Sequence, residues 1–166
     1  VSKLISEGVD IIDLGAVSSK PGSKLIKAKD EYKLVYEYIN ELASNFNQVL
    51  FSIDTYNASV ADFALSKGFS LVNDISSGRY DKNMYEVVKN YEAGYIMMHM
   101  KGDPSNMQLN PTYDSVVESI ISFFQFKIKE LEKLEFYNII IDPGFGFGKS
   151  INDNYEILKN LKLLSS

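Results

Sequence analysis

Short β-branched runs alternate with longer amphipathic segments along this chain, and that alternation restricts the fold more than any other feature. The runs fall at 9–14, 49–54, 70–74, 94–99 and 138–142. Segments of helical period lie between them. Val117, Ile120, Ile121, Phe124, Ile128 and Leu131 line one face of a long helix. Val35, Tyr38, Ile39 and Leu42 repeat the pattern earlier, as do Met84, Val87, Val88 and Tyr91. A last helix is expected to open at Ser150, where Asp153 three residues on completes a capping box. Apolar strands alternating with helices predict an α/β fold, with parallel pairing and helices covering the sheet.

The predicted strands share a second property, since each runs out into a polar group: Asp13, Asp54, Asn73 with Asp74, His99 and Asp142. Asp and Asn favour strand exits as turn formers and helix caps, so any one of them is unremarkable. In α/β folds, however, ligands bind at the carboxyl ends of the strands. Five polar ends together are expected to converge on one pocket. The length of 166 residues suits one domain, and no repeat or linker divides it. The chain begins in what reads as helix and stops just after another, so it is expected to be a piece of something longer. A net charge of -5 argues against a general nucleic-acid binder. No apolar run is long enough to span a bilayer. Without cysteine there is no thiolate metal site and no disulfide frame, which fits a reducing cytoplasm.

The stretch "IIIDPGFGFGKS" at 139–150 drives a buried run into an acid and then into a glycine loop. Two phosphate motifs fail there. For a Walker A loop the first glycine falls on Pro143, which has no N–H to offer a phosphate. For a dinucleotide fingerprint the third glycine falls on Lys149. What remains is a loop whose glycines let backbone approach a flat ligand, with Phe147 as a wall and Asp142 as the floor. A carboxylate ending a buried strand is costly unless paired, and a ligand with two adjacent N–H donors would pair it.

Five stretches, "DIIDLGAVSSKPGS" at 10–23, "FSIDTYNASVADFAL" at 51–65, "LVNDISSGRYD" at 71–81, "MHMKGDPSNMQ" at 98–108 and "IIIDPGFGFGKS", occur in the order and spacing of one family. In them the chain resembles dihydropteroate synthase. The resemblance implies a TIM (β/α)8 barrel, incomplete here, with the family's strands two to six in a single pterin-binding domain over 1–166. It implies the condensation of p-aminobenzoate with 6-hydroxymethyl-7,8-dihydropterin pyrophosphate. By that likeness Asp54, Asn73 and Asp142 hydrogen-bond the pterin edge, and Ile75, Met98 and Phe147 line its pocket. Ser19, Lys20 and Pro21 match the loop that holds p-aminobenzoate. Magnesium is implied as cofactor, its ligand in a strand preceding Val1. A homodimer acting on small molecules is implied, with no nucleic acid or membrane partner. The 166-residue chain alone is expected to be inactive.

The likeness has departures. Where the family mostly reads Gly-Gly-Glu-Ser-Thr-Arg-Pro-Gly, this chain has Gly15, Ala16, Val17, Ser18, Ser19, Lys20, Pro21 and Gly22. Lysine for arginine keeps the charge and loses the bidentate fork. Two other readings keep the barrel: a methyltetrahydrofolate-binding methyltransferase domain, and a non-catalytic pterin-binding relative. Among single residues, His99 reads as a satisfied barrel-interior histidine, and the lack of a second histidine weakens a metal role. Lys149 reads as packing or snorkelling at the helix start. Met97, Met98 and Met100 read as core filling, and Arg79 as either a loop ion-pair partner or a substrate-loop residue.

Overall fold

The computed structural model describes residues 1–20 and 22–164. Pro21 lies outside the described residues. The strands are β1 (Ile11–Gly15), β2 (Leu50–Asp54), β3 (Leu71–Asp74), β4 (Gly94–Met98) and β5 (Ile139–Asp142). The helices are α1 (Ser2–Ser6), α2 (Ala28–Asn45), α3 (Ala58–Ser66), α4 (Met84–Asn90), α5 (Val116–Glu132) and α6 (Ile151–Lys159), followed by one 3-10 turn, Leu161–Leu164. All five strands are parallel and stand in the order β1-β2-β3-β4-β5. A helix separates each strand from the next, the sequential winding of a (β/α) barrel rather than the reversing order of a doubly wound sheet. Among the described residues the sheet is open, with β1 and β5 at its edges.

Every predicted strand is present, with ends shifted by one or two residues. Val9 donates its N–H to the Leu4 carbonyl, closing α1, so β1 starts later than the apolar run does. The expected capping box at α6 is complete: the Ser150 hydroxyl accepts the Asp153 N–H, and the Asp153 carboxylate accepts the Ser150 N–H. Two helix residues read as apolar-face members are not buried. Tyr38 is 60% exposed because the buried row of α2 runs along Val35, Ile39 and Leu42, and Tyr38 lies off it. Tyr91 is 41% exposed because α4 ends before it and it forms the C-cap.

Strand side chains alternate between two faces, and residues paired across a parallel ladder share a face. The helix-side face carries Ile53, Val72, Tyr95 and Met97, which form the main core with Ile39, Ile120 and Phe124. The opposite face carries Asp13, Asp54, Asn73, Met98 and Asp142, linked by the pairings Asp13 with Ser52, Asp54 with Asn73, Asn73 with Ile96 and Met98 with Asp142. Lower on that face Ile11, Leu50 and Ile140 are 41%, 50% and 47% exposed. A smaller apolar cluster of Tyr56, Ile75, Met98, Met100 and Met107 sits beside the strand ends, with Phe147 and Val17 packed on it.

The two helix rows separate in a stability test. Ile39→Ala is expected to cost about 2–5 kcal/mol, as for a fully buried aliphatic side chain. Tyr38→Ala should stay within about 0.5 kcal/mol of the parent. Chemical denaturation of both variants checks this, and equal losses would place Tyr38 in the core after all.

Candidate functional site

The alternation of β3 and β4 divides the polar strand ends into two sets. Asp13, Asp54, Asn73 and Asp142 share the open face, and Asn73 donates its amide N–H to Asp13 at 2.9 Å. Asp74 and His99 lie on the helix side, so the five ends do not all converge. Asp74 is fully buried and organises the loop after β3. It accepts the N–H groups of Ser76 (2.7 Å) and Gly78 (2.8 Å) and the Tyr95 hydroxyl (2.8 Å). Burial raises its pKa, and these hydrogen bonds oppose the rise. The same loop carries Ile75 into the small apolar cluster.

His99 is not a satisfied barrel-interior histidine. Its ring stands edge-on to Phe123 of α5 (5.2 Å) and tilted against Tyr113 (6.2 Å), and its Nδ1 is buried without a hydrogen-bond partner. It falls on the helix side because it follows Met98 by one position and strand periodicity reverses there. Burial, then the charges of Lys149 and Lys101, push its pKa down to about 3, so the ring is neutral at pH 7.

Asp54 is a strained acid on the open face. Burial raises its pKa to about 7, and the neighbouring charges of Asp13, Glu31 and Asp74 add to the rise. Gly15 makes room for it, since a Cβ there would meet Asp54 Cβ and Oδ2 at 3.0 Å. Glu31, in the first turn of α2, is fully buried. Its Oε2 accepts the Asn57 amide at 2.5 Å, and its Oε1 has no partner. Sequence reasoning passed over Glu31, because an acid in a first helical turn reads as a dipole partner with no sign of which way it faces.

Asp142 ends β5 and turns one oxygen inward, Oδ1 accepting the Gly144 N–H at 2.7 Å. The glycine loop is then tied on every side. The Gly146 N–H donates to Asn154 Oδ1 (2.8 Å), the Gln108 amide donates to the Gly146 carbonyl, and the Tyr113 hydroxyl donates to the Gly148 carbonyl (2.8 Å). Gly144, Gly146 and Gly148 all take positive φ, of 68°, 81° and 62°. A Cβ on Gly144 would collide with the His99 carbonyl oxygen, and one on Gly148 with that of Lys101. The close approach that these two glycines permit is therefore to the loop after β4. Around Gly146 there is open space. Phe147 packs against the cluster of Ile75 and Met98.

Of the two readings of Lys149, packing holds and snorkelling does not. It is 3% exposed, and its Nζ donates to the carbonyls of His99 (3.0 Å), Gly144 (2.9 Å) and Phe147 (3.0 Å). Burial lowers its pKa to about 8, while Asp142 and Asp153 pull it back up. Arg79 resolves as a loop ion-pair partner. It meets Asp103 at 3.1 Å and donates to the Gly102 carbonyl at 2.8 Å, tying the loop after β3 to the loop after β4. Met97 belongs to the main core, Met98 and Met100 to the small cluster.

Ser19 joins Asp54, Tyr56, Ile75 and Pro104 around a crevice of about 10 Å³. Lys20 is exposed, and its carbonyl accepts the Ser23 N–H at 3.0 Å, which closes the turn. A roomier cavity of about 460 Å³ touches Ile75 and Met98 but opens among Arg79, Tyr85, Phe123 and Lys127. It contains none of the open-face acids, so the polar site is the sheet face and not that cavity. Among the described residues no three His, Cys, Asp or Glu side chains are arranged to hold a metal ion, so these acids do not by themselves fit magnesium. No helix among them is long and apolar enough to cross a membrane.

A carboxyl whose pKa is raised by folding binds its proton more tightly in the folded state. Its contribution to stability is full below the unfolded value near 4 and is lost as pH rises through about 7. Asp54→Asn is therefore expected to match the parent near pH 4 and to exceed it at pH 8 by more than ~1 kcal/mol. Denaturation at the two pH values checks this; a gap that does not widen with pH would remove burial as the cause.

The whole chain, residues 1–166, matches the family described as pterin binding enzyme. A mitochondrial folate synthesis bifunctional protein of Arabidopsis thaliana is 36% identical over 167 residues, 97% of this chain and 30% of that protein. The structure of Yersinia pestis dihydropteroate synthase in complex with a sulfonamide drug superposes with a TM-score of 0.93 at 33% identity. It covers 98% of this chain and 59% of its own. Xanthomonas albilineans dihydropteroate synthase with 4-aminobenzoic acid superposes at 0.88 and 30% identity, over 98% and 57%. The chain thus spans less than two thirds of each of these proteins.

Proposed function

The chain belongs to the pterin-binding enzymes, and on that premise we propose that the protein carrying it is a dihydropteroate synthase. One observation carries the reading. Asp54, Asn73 and Asp142 lie on one sheet face, beside an apolar cluster that brings together Ile75, Met98 and Phe147. Acceptors and one amide along an edge suit a flat ring that offers an amino group and ring N–H donors in one plane. The apolar cluster suits the face of that ring.

In this reading the site binds 6-hydroxymethyl-7,8-dihydropterin pyrophosphate and p-aminobenzoate. The C–O bond to pyrophosphate breaks, the arylamine nitrogen bonds to the same carbon, and the amine releases a proton. Positive charge that develops at that carbon spreads into the pterin. Asp54, held near half-protonated at pH 7 before binding, is stabilised as the anion by that charge. The protein's contribution is orientation and electrostatic stabilisation, with no covalent nucleophile. Ser19, which lines the crevice beside Asp54, and the exposed Lys20 would hold p-aminobenzoate in this reading, with Pro21 in the same loop outside the described residues. The reading extends to a cytoplasmic homodimer and to magnesium held by a ligand outside this chain.

Turnover of the two substrates to 7,8-dihydropteroate by the complete protein tests the proposal. Methyl transfer from methyltetrahydrofolate to a cobalamin would move it to the methyltransferase relatives, and pterin binding without either turnover to the non-catalytic ones. Asp142→Asn is expected to weaken pterin binding about ten-fold to a hundred-fold, because it turns a donor toward the ligand's own donors. The melting temperature should hold. Calorimetric titration beside thermal melts checks both, and unchanged affinity in a folded variant would remove Asp142 from the pterin edge. Lys20→Ala should raise the KM for p-aminobenzoate more than it weakens pterin binding, and Lys20→Arg should be tolerated; equal losses in both substrates would take Lys20 out of the p-aminobenzoate loop.

A further inference from the structure

An ammonium group has three N–H donors, and in Lys149 all three meet carbonyl oxygens. None is left for a ligand phosphate. The carbonyls come from two separate places: His99 just beyond β4, and Gly144 and Phe147 in the loop after β5. Gly144 and Gly148 let those two loops touch at van der Waals range, where any side chain would part them. Gln108 and Tyr113 hold the Gly146 and Gly148 carbonyls, but the approach of Gly144 to the His99 carbonyl brings like dipoles together and adds no donor of its own. Without the ammonium the His99 and Phe147 carbonyls would lose this donor, while the Gly144 carbonyl would keep only the Phe147 N–H at 3.0 Å.

We infer that Lys149 is a positioning residue, an internal cation that clamps the glycine loop to the end of β4 and thereby sets the distance between the Asp142 carboxylate and the Phe147–Met98 wall. It acts through backbone carbonyls and does not touch the ligand. Its three partners flank the two groups that matter. The Phe147 carbonyl belongs to the wall residue itself, and Gly144 is the residue whose N–H holds Asp142 Oδ1. The inference rests on the pterin reading for its consequence in binding, but the clamp can be tested without pterin.

Lys149→Met removes the ammonium and keeps the length of the side chain. In the complete protein, hydrogen exchange at the Gly144 and Phe147 amides is expected to accelerate at least tenfold, while the amides of β2 and β3 stay protected. Pterin affinity should fall about tenfold, with the KM for p-aminobenzoate changed less than twofold. For Lys149→Ala, n-propylammonium should restore pterin affinity and slow the loop exchange, whereas 1-propanol, of similar shape and no charge, should not. Rescue by both, or loop exchange in Lys149→Met equal to the parent, overturns the clamp. If neither variant folds, the parent itself decides: competitive acetylation read by mass spectrometry should label Lys149 at least tenfold more slowly than Lys20, and equal labelling overturns the inference. A parent protein that binds no pterin, yet loses loop protection in Lys149→Met, refutes the functional reading and leaves the clamp standing.

Discussion

The parallel register is the constraint on which the rest of this structure depends. It sets Asp54 level with Asn73 and Met98 level with Asp142, and strand periodicity then places all four on one face. A slip of one residue in either pairing would exchange that set for the core set. Asp54 would then be driven among the helices and Ile53 into the site. The large apolar side chains of the helix side hold the register, because Ile53, Val72, Tyr95 and Met97 have nowhere else to be buried. The site is thus the reverse face of the core, and the two are specified together.

Acids gathered around the strand ends carry a cost, which the neighbouring structure distributes. Asp74 is satisfied three times over and serves the loop that carries Ile75. Asp142 is half satisfied, with one oxygen turned to Gly144. Asp54 and Glu31 are costly too: burial raises both pKa values, and the Glu31 charge adds to the rise at Asp54. Stability spent in this way is typical of sites arranged for a ligand rather than for the folded state alone. A cationic or N–H-rich ligand would relieve it.

The glycine loop has the opposite economy. Its three positive-φ residues give up conformational freedom, and in exchange two of them bring loops together that side chains would hold apart. The buried Lys149 then supplies the donors that the crowded carbonyls need. The chain places one hydrophobic wall, Phe147, inside that restrained turn, while Phe145 two residues earlier stays 42% exposed.

Much of this was legible in the residues alone. Hydrophobic period determines strand and helix locally, so five strands, the long α5 and the capping box at Ser150 follow from the sequence with small errors at the ends. The open-face acids Asp54, Asn73 and Asp142 could be named too, because a polar residue closing an apolar run is a local signal. Which face a residue takes at a strand's last position is not local. It depends on register, and so His99 and Asp74 proved to lie behind the sheet. Lys149 shows the limit most clearly. In the sequence it reads as packing or snorkelling at the helix start, since its charge is written there and its partners are not. Those partners are backbone carbonyls, which every residue has, and only the packing of the loop after β5 against the end of β4 decides which three it meets.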